Sequence, residues 1–341
     1  MDILYSSSDS YSFLTGISIL SLLENNQNVD RIHIYIMDNH ITQENKEKLR
    51  QVVCQYGREI TFVEMPDMVA KTGLHIDTRR WNISTFGRLY MASVLPETVH
   101  KVLNIDCDTI VLDSLEPLWN TDMTGRIVGG MQECINDRYR RNIGMQDGDL
   151  YINGGLIFLN LDEVRARDYE VVFTDYIKTY GDALAYLDQD VINATVPQTE
   201  KQCLPLRYNM LSPYFYVPYE QMKQMRRARN FCTKEEFVSA KLHPAVIHFT
   251  TCYLDGLRPW IRGNRHPYLG EFLRYKAASP WAELPLQADN RRITAKLCTK
   301  LIRCTPKKLL LPVAAILHGV IVPERNKRKM DKMRDRTHAK I

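Results

Sequence analysis

Lys101-Val102-Leu103-Asn104-Ile105-Asp106-Cys107-Asp108 is the stretch on which the reading of this chain turns. Lys101 to Ile105 is a short, largely apolar run, the pattern of a buried strand. Residues two apart on an extended chain point to the same side. Asp106 and Asp108 therefore converge at the end of that strand. Two neighbouring carboxylates repel unless a cation lies between them. A divalent metal with oxygen ligands is the natural occupant. The same triplet alone is more often a solvated strand-end turn, so its surroundings decide.

Outward toward the N-terminus, residues 2–6 read as a strand and Asp9-Ser10 as a loop. Ser12 to Glu24 carries Phe13, Ile17 and Leu20 at helical spacing. Ile32 to Ile36 is a second strand. Thr42 can cap a helix running to about Tyr56, with Glu44 and Glu47 in its early turns. Glu59 to Val63 is a third strand, and Ser84 to Val94 a helix that Pro96 ends. Toward the C-terminus, Ile127 to Met131 and Leu156 to Asn160 read as strands and Tyr169 to Tyr180 as a helix. Asp188-Gln189-Asp190 opens another helix with acidic residues at its N-terminus. From about residue 200 the pattern is of loops and short strands. Alternation of strands and helices predicts an α/β fold, a mostly parallel central sheet with helices on both faces. Ligands in such sheets sit beyond the carboxyl ends of the strands. The 6–10 loop and the Asp106/Asp108 pair both fall there.

The length of 341 residues allows one large domain with an appendage, or two domains. Met1 to Tyr5 starts directly on a strand-like run without a basic leader region, so a cytoplasmic chain is expected. The eight cysteines lack paired metal spacing and are expected as reduced thiols. The net charge of +5 hides an asymmetry: residues 291–341 carry +12 and the rest −7. Within that tail, Arg291, Arg292, Lys296, Lys300, Arg303, Lys307 and Lys308 alternate with Ile293, Leu297, Leu301 and Ile302 at helical spacing. Leu309 to Val322 follows, an apolar run of 14 residues broken by Pro312, His318 and Gly319. It is shorter than the ~20 residues that span a bilayer. The pattern fits an interfacial anchor on anionic lipid. A hairpin packed on a protein partner and a nucleic-acid tail are the alternatives. The reading adopted is a body, residues 1–275, and a basic amphipathic membrane-association tail, residues 276–341. It puts the protein peripherally on the inner face of the cell membrane, with no nucleic acid as partner.

Further signals join the Asp pair. Tyr151-Ile152-Asn153-Gly154-Gly155 precedes a strand, with glycines that permit close backbone approach to a ligand. His248-Phe249 follows Ala245-Val246-Ile247, and Arg258-Pro259-Trp260 begins ten residues past the histidine. Three more stretches belong with them: Ile3-Leu4-Tyr5-Ser6-Ser7-Ser8-Asp9-Ser10-Tyr11, Ser84 to Tyr90 with Arg88, and Ile143-Gly144-Met145. In this order, over roughly residues 1–270, the motifs resemble glycosyltransferase family 8, retaining enzymes of the Rossmann-like GT-A fold. The pattern is most similar to bacterial α-galactosyl- and α-glucosyltransferases that build lipopolysaccharide and related surface glycans.

The resemblance implies roles. Asp106, Asp108 and His248 would bind Mn²⁺, with Mg²⁺ the second choice, against the diphosphate of a UDP-sugar. Ser6, Ser8, Asp9 and Tyr11 would hold uracil and ribose, and Arg258 the diphosphate. Arg88, Asn153, Asp188 and Gln189 would hold the donor hexose. Two departures stand out: Ser8 occupies a position often acidic in the family, and the final motif has a longer spacing with Arg258 in place of a lysine. Arginine is a capable bidentate phosphate ligand. A retaining enzyme can use a carboxylate nucleophile, but Gln189 lies where one would be sought and an amide is a poor nucleophile. A front-side, internal-return route is expected, with Asp190 as the runner-up nucleophile. Two other classes compete. A nucleotidyltransferase would show a Gly-rich, basic loop after the first strand, and Tyr5 to Tyr11 has neither glycine nor lysine. A non-catalytic sugar-nucleotide-binding subunit or chaperone of a glycosylation complex is the remaining alternative.

Overall fold

The computed structural model describes residues 1–73, 83–251 and 257–338. Its strands are β1 (Asp2–Ser8), β2 (His33–Asn39), β3 (Glu59–Glu64), β4 (Lys101–Ile105), β5 (Thr109–Val111), β6 (Val128–Gln132), β7 (Ile152–Asn160), β8 (Lys201–Leu204), β9 (Met210–Leu211) and β10 (Val246–His248). Seven of them form one sheet in the order β3-β2-β1-β4-β7-β6-β8. β1 pairs in parallel with β2 and β4, β2 with β3, and β6 with β8. β7 runs antiparallel to both of its neighbours, β4 and β6. The sheet is thus mostly parallel. A second, three-stranded sheet has the order β5-β10-β9.

Alternation along each strand divides the core between the sheet's two faces. Ile3 and Tyr5, Ile34 and Ile36, and Leu103 and Ile105 join one apolar cluster. Leu4, Tyr35, Met37 and Val102 join the other. Helices Ser12–Glu24 and Gln43–Cys54 cover the first face through Phe13, Ile17, Leu49 and Val52. Helices Tyr169–Tyr180 and Leu187–Thr195 cover the second through Phe173, Ile177, Val191 and Ile192. Each such side chain contributes roughly 1.5–3 kcal/mol of burial. Thr42 caps its helix as expected, its side chain accepting from the Asn45 N–H. The cysteines among the described residues are all free thiols.

Three expectations are revised. Ser84 to Val94 is not a continuous α-helix: Ile83–Tyr90 is a 3₁₀ helix and Met91–Val94 a short α turn. Gly87 sits inside it, and a Cβ there would lie 2.2 Å from the Met65 sulfur. That close approach, with glycine's poor helix propensity, favours the tighter winding. Asn153-Gly154-Gly155 lies within β7 rather than before it, because pairing with β4 and β6 extends the strand to Ile152. The region past residue 200 is largely helical between its short strands, with helices at Ser212–Tyr216, Tyr219–Arg226 and Lys234–Leu242.

The C-terminal stretch has several different environments. Trp281 is buried; its ring lies against Gly16 and its Nε1 donates to Asn45 Oδ1 at 3.1 Å. Helix Ile293–Cys304 leaves Ile293, Leu297 and Leu301 exposed. Helix Lys307–Ile316 passes through a π-turn at Leu317–Ile321 into helix Val322–His338. The continuous piece Lys308–Asp335, 28 residues, is long and apolar enough to cross a membrane by length and composition. Its second half is docked on the body instead. Met330 is buried, and Asn326 Nδ2 donates to the Ala183 carbonyl at 2.9 Å. Asn142 Nδ2 donates to the Pro323 carbonyl at 2.7 Å, and Arg334 Nη2 to the Asn142 carbonyl at 3.2 Å. Side chains committed to protein partners in this way do not face lipid.

Candidate active site

β4 lies beside β1, and the chain turns at its end through Asp106 and Asp108 into β5. β10 then pairs antiparallel with β5, which puts His248 opposite Thr109. The Phe249 N–H donates to the Asp108 carbonyl at 2.8 Å, and the Asp106 N–H to the Gly155 carbonyl at 2.8 Å. Backbone pairing therefore delivers residue 248 to a strand end far from it in sequence. The ligand atoms of Asp106, Asp108 and His248 lie within 4.8 Å of one another. His248 Nε2 stands 3.1 Å from Asp108 Oδ1 and 3.5 Å from Asp106 Oδ2. On the other side of the ring, Nδ1 lies 3.0 Å from Asn209 Oδ1. An amide oxygen only accepts, so Nδ1 carries a proton, and Nε2 is the ring nitrogen that faces the carboxylates and would ligate an ion once it gives up its own proton.

This donor set fits a divalent ion. Two carboxylates and one imidazole, with the imidazole held from behind, are a mixed oxygen and nitrogen set for a divalent metal. Burial works against charge on His248, but the adjacent Asp108 outweighs it and holds the imidazole pKa above its ordinary value. Burial likewise works against the Asp108 carboxylate, and His248 and Arg258 outweigh it to hold its pKa low. Gly155 is required here: a Cβ would fall 2.2 Å from two atoms of the His248 ring.

Two arginines flank the centre. Arg88, buried, contacts Asp106 Oδ1 at 2.7 Å and Asp188 Oδ2 at 3.2 Å, and donates to the Gly154 carbonyl at 2.8 Å. Burial pushes the Asp188 pKa up to about 7 against the pull of Arg88. Arg258 Nη1 lies 3.3 Å from Asp108 Oδ2, and its guanidinium stacks 5.3 Å over the Trp260 ring. Its buried Nε has no hydrogen-bond partner among the described residues.

The family model for glycosyl transferase family 8 matches residues 2–262 of the chain. The chain belongs to glycosyltransferase family 8. Among curated proteins it is 22% identical over 294 residues to general stress protein A of Bacillus subtilis, covering 85% of this chain and 98% of that one. It is 22% identical over 298 residues to the lipopolysaccharide glucosyltransferase WaaO of Escherichia coli, covering 85% and 81%. Among solved structures, the galactosyltransferase LgtC with donor and acceptor sugar analogues superposes with a TM-score of 0.67 at 24% identity, covering 82% and 96%. That likeness establishes the GT-A-type fold.

Within this family 8 chain, the remaining candidate residues separate into two groups. Asn153 and Gln189 join a buried network. Gln189 Oε1 accepts from the Gly154 N–H at 2.7 Å, and Asn153 Oδ1 accepts from the Gly155 N–H at 2.9 Å. Asp190 is wholly buried, and both its oxygens are engaged. Tyr151 donates to Oδ1 at 2.7 Å; Tyr139 at 2.7 Å and the N–H groups of Ala185 and Tyr186 at 2.9 Å donate to Oδ2. At the end of β1, Asp9 turns to the next helix: its Oδ1 accepts from the Thr42 N–H, the Thr42 hydroxyl and Asn45 Nδ2 at 2.7–2.9 Å. Those bonds hold its pKa low. Ser8 pairs with Ser10 at 3.2 Å, Ser6 is half-buried beside Met37, and Tyr11 is exposed on the surface.

Sequence reasoning missed Glu133 and Asn209. Buried Glu133 accepts through Oε2 from Asn153 Nδ2 at 2.9 Å and Gln189 Nε2 at 2.7 Å. It follows the end of β6 as Asp106 follows β4, and that shared signal could have found it. Asn209 joins Asn153 to His248 through a 2.7 Å donation to Asn153 Oδ1. It lies outside any periodic pattern and gave no signal.

Proposed function

We propose that the chain transfers a hexose, galactose or glucose, from a UDP-sugar to a glycan or lipid-linked acceptor in the assembly of cell-surface polysaccharide or lipopolysaccharide. The reading includes retention of anomeric configuration and a dependence on Mn²⁺. The observation that carries it is the convergence of Asp106, Asp108 and His248 beyond the carboxyl ends of β1 and β4. A divalent ion held by those three residues would supply Lewis-acid stabilisation of the UDP leaving group. Arg258, whose buried Nε has no partner among the described residues, suits the diphosphate oxygens. Exposed Tyr11 suits the face of the base. Arg88 pairs with Asp188, and Asn153 and Gln189 share Glu133 as acceptor; the four suit the hydroxyls of the donor hexose.

Retention then follows a front-side course. Asp190 has no exposed atom and no unoccupied oxygen, and serves to fix Tyr139, Tyr151 and the helix start. The amide of Gln189 is no nucleophile. An oxygen of the departing phosphate is left as the base for the acceptor hydroxyl. The exposed apolar and basic face of helix Ile293–Cys304 supports a peripheral position on the inner face of the cell membrane. The test is a screen of UDP-sugars for Mn²⁺-dependent UDP release. Release from UDP-galactose or UDP-glucose that EDTA abolishes is expected. Tight nucleotide binding without release, with or without acceptor, would instead mark a non-catalytic binding subunit.

A further inference from the structure

A second charged cavity lies away from the carboxylate–imidazole centre. It is a cleft of about 310 Å³ between helix Asp137–Asn142 and the C-terminal helix Val322–His338. Arg138, Arg141, Lys327 and Arg334 line it, against a single carboxylate, Glu324. Part of this charge is compensated nearby. Arg141 pairs with Asp147, Arg334 with Asp331 at 3.4 Å, and Glu324 with Arg328 at 3.7 Å. Arg138 and Lys327 are exposed and have no ion pair among the described residues. Two uncompensated cations on one cleft repel, and an anion between them relieves this.

The walls are built rather than draped. Asn142 is buried and donates to the Pro323 carbonyl at 2.7 Å and to Asn326 Oδ1 at 3.0 Å, so the two helices are bolted together at the cleft floor. Helix Asp137–Asn142 sends Tyr139 inward to Asp190 while Arg138 and Arg141, three apart, share its other face. Arginine and lysine side chains approaching from two helices can reach different oxygens of one tetrahedral phosphate. The cleft is large enough for a phosphorylated headgroup. Beside Pro323, Ile321 and Val322 are apolar and exposed.

We propose that this cleft is a phosphate-binding site that takes a phosphomonoester or phosphodiester group, from a lipid headgroup or from a soluble phosphate ester. The exposed Ile321 and Val322, next in the chain to the cleft residue Pro323, favour the lipid source. That source rests on the membrane-surface reading of the tail; the phosphate site itself does not.

The test uses the full chain without added metal, and the double variant Arg138→Glu/Lys327→Glu. Phosphatidylcholine vesicles doped with phosphatidic acid are compared with vesicles doped with oleate to the same surface charge. Glycerol 3-phosphate is titrated separately by calorimetry. The wild-type chain is expected to favour phosphatidic acid over oleate by about tenfold, the scale of one hydrogen bond to a charged group that the phosphate gains in the cleft. The double variant is expected to lose that preference. Lys296→Glu/Lys300→Glu is expected to weaken both kinds of vesicle alike and keep the preference. Glycerol 3-phosphate binding that the double variant abolishes, without a vesicle preference, would assign the site to soluble esters. A wild-type chain with neither property, or a folded double variant that keeps both, would overturn the proposal. UDP release from a UDP-sugar is measured in parallel, so failure of the sugar-transfer reading is seen separately.

Discussion

The Asn209 side chain sets the quality of the metal site although it cannot reach the ion's position. Its oxygen fixes the proton on His248 Nδ1, and its NH₂ is itself fixed by Asn153. Partners of this kind typically account for 10–100-fold in metal affinity. Asn209→Ala is therefore expected to weaken Mn²⁺ binding by about that factor, read by calorimetry, while far-UV circular dichroism stays unchanged. Asp190 makes a contrasting prediction. Asp190→Asn keeps one acceptor oxygen and most of the volume, so UDP-sugar turnover is expected to stay within about tenfold of wild type, the loss of a nucleophile costing far more. A collapse of kcat with a normal melting temperature would restore the double-displacement route. At this scale the sequence was informative where chemistry leaves a mark: Asp106, Asp108 and His248 follow apolar strands and were legible. Asn209 was not, because an asparagine in an irregular segment looks like any turn residue until β9 and β10 pair.

Strand existence was read well because each strand alternates between two buried faces, as Ile3, Leu4 and Tyr5 do. Element boundaries were read less well wherever tertiary contact overrides local propensity. β7 extends back through two glycines because it pairs with β4 and β6, and Gly155 leaves the space that the His248 ring takes. The 3₁₀ winding at Ile83–Tyr90 contains Gly87, where Met65 leaves no room for a Cβ, a tertiary contact that no local pattern encodes. Docking of the C-terminal helix belongs here too. His318, at the π-turn, has its pKa lowered to about 4 by burial and by Arg226. A histidine whose folded pKa lies below its unfolded value contributes stability that is full above about 6.5. That contribution is lost as the pH falls through about 4. Hydrogen exchange in residues 322–338, corrected for intrinsic rates, is expected to quicken as the pH drops from 7 toward 4 relative to the rest of the chain. His318→Gln is expected to remove the pH dependence, and an unchanged profile in that variant would contradict the assignment.

For the whole molecule, the division of charge seen in the sequence becomes a division of labour. The body is mildly acidic and carries the metal-competent centre, while the basic segment supplies both a docked helix and an exposed amphipathic one. Composition alone could not separate these two halves of the tail, since both are basic and only contacts such as Asn142 to Asn326 distinguish them. Lys296→Glu/Lys300→Glu is expected to reduce co-sedimentation with anionic vesicles at low salt and to leave UDP release in solution unchanged. Equal sedimentation of the variant and wild type would remove helix Ile293–Cys304 from the membrane account. Behind every step stands the ion seat that β-pairing assembles from residues far apart in the chain. Its most direct test is Mn²⁺ titration followed by electron paramagnetic resonance on the wild type, Asp108→Asn and His248→Gln. One site is expected in the wild type and none of comparable affinity in either folded variant. Mn²⁺ held equally well by all three proteins would contradict the account.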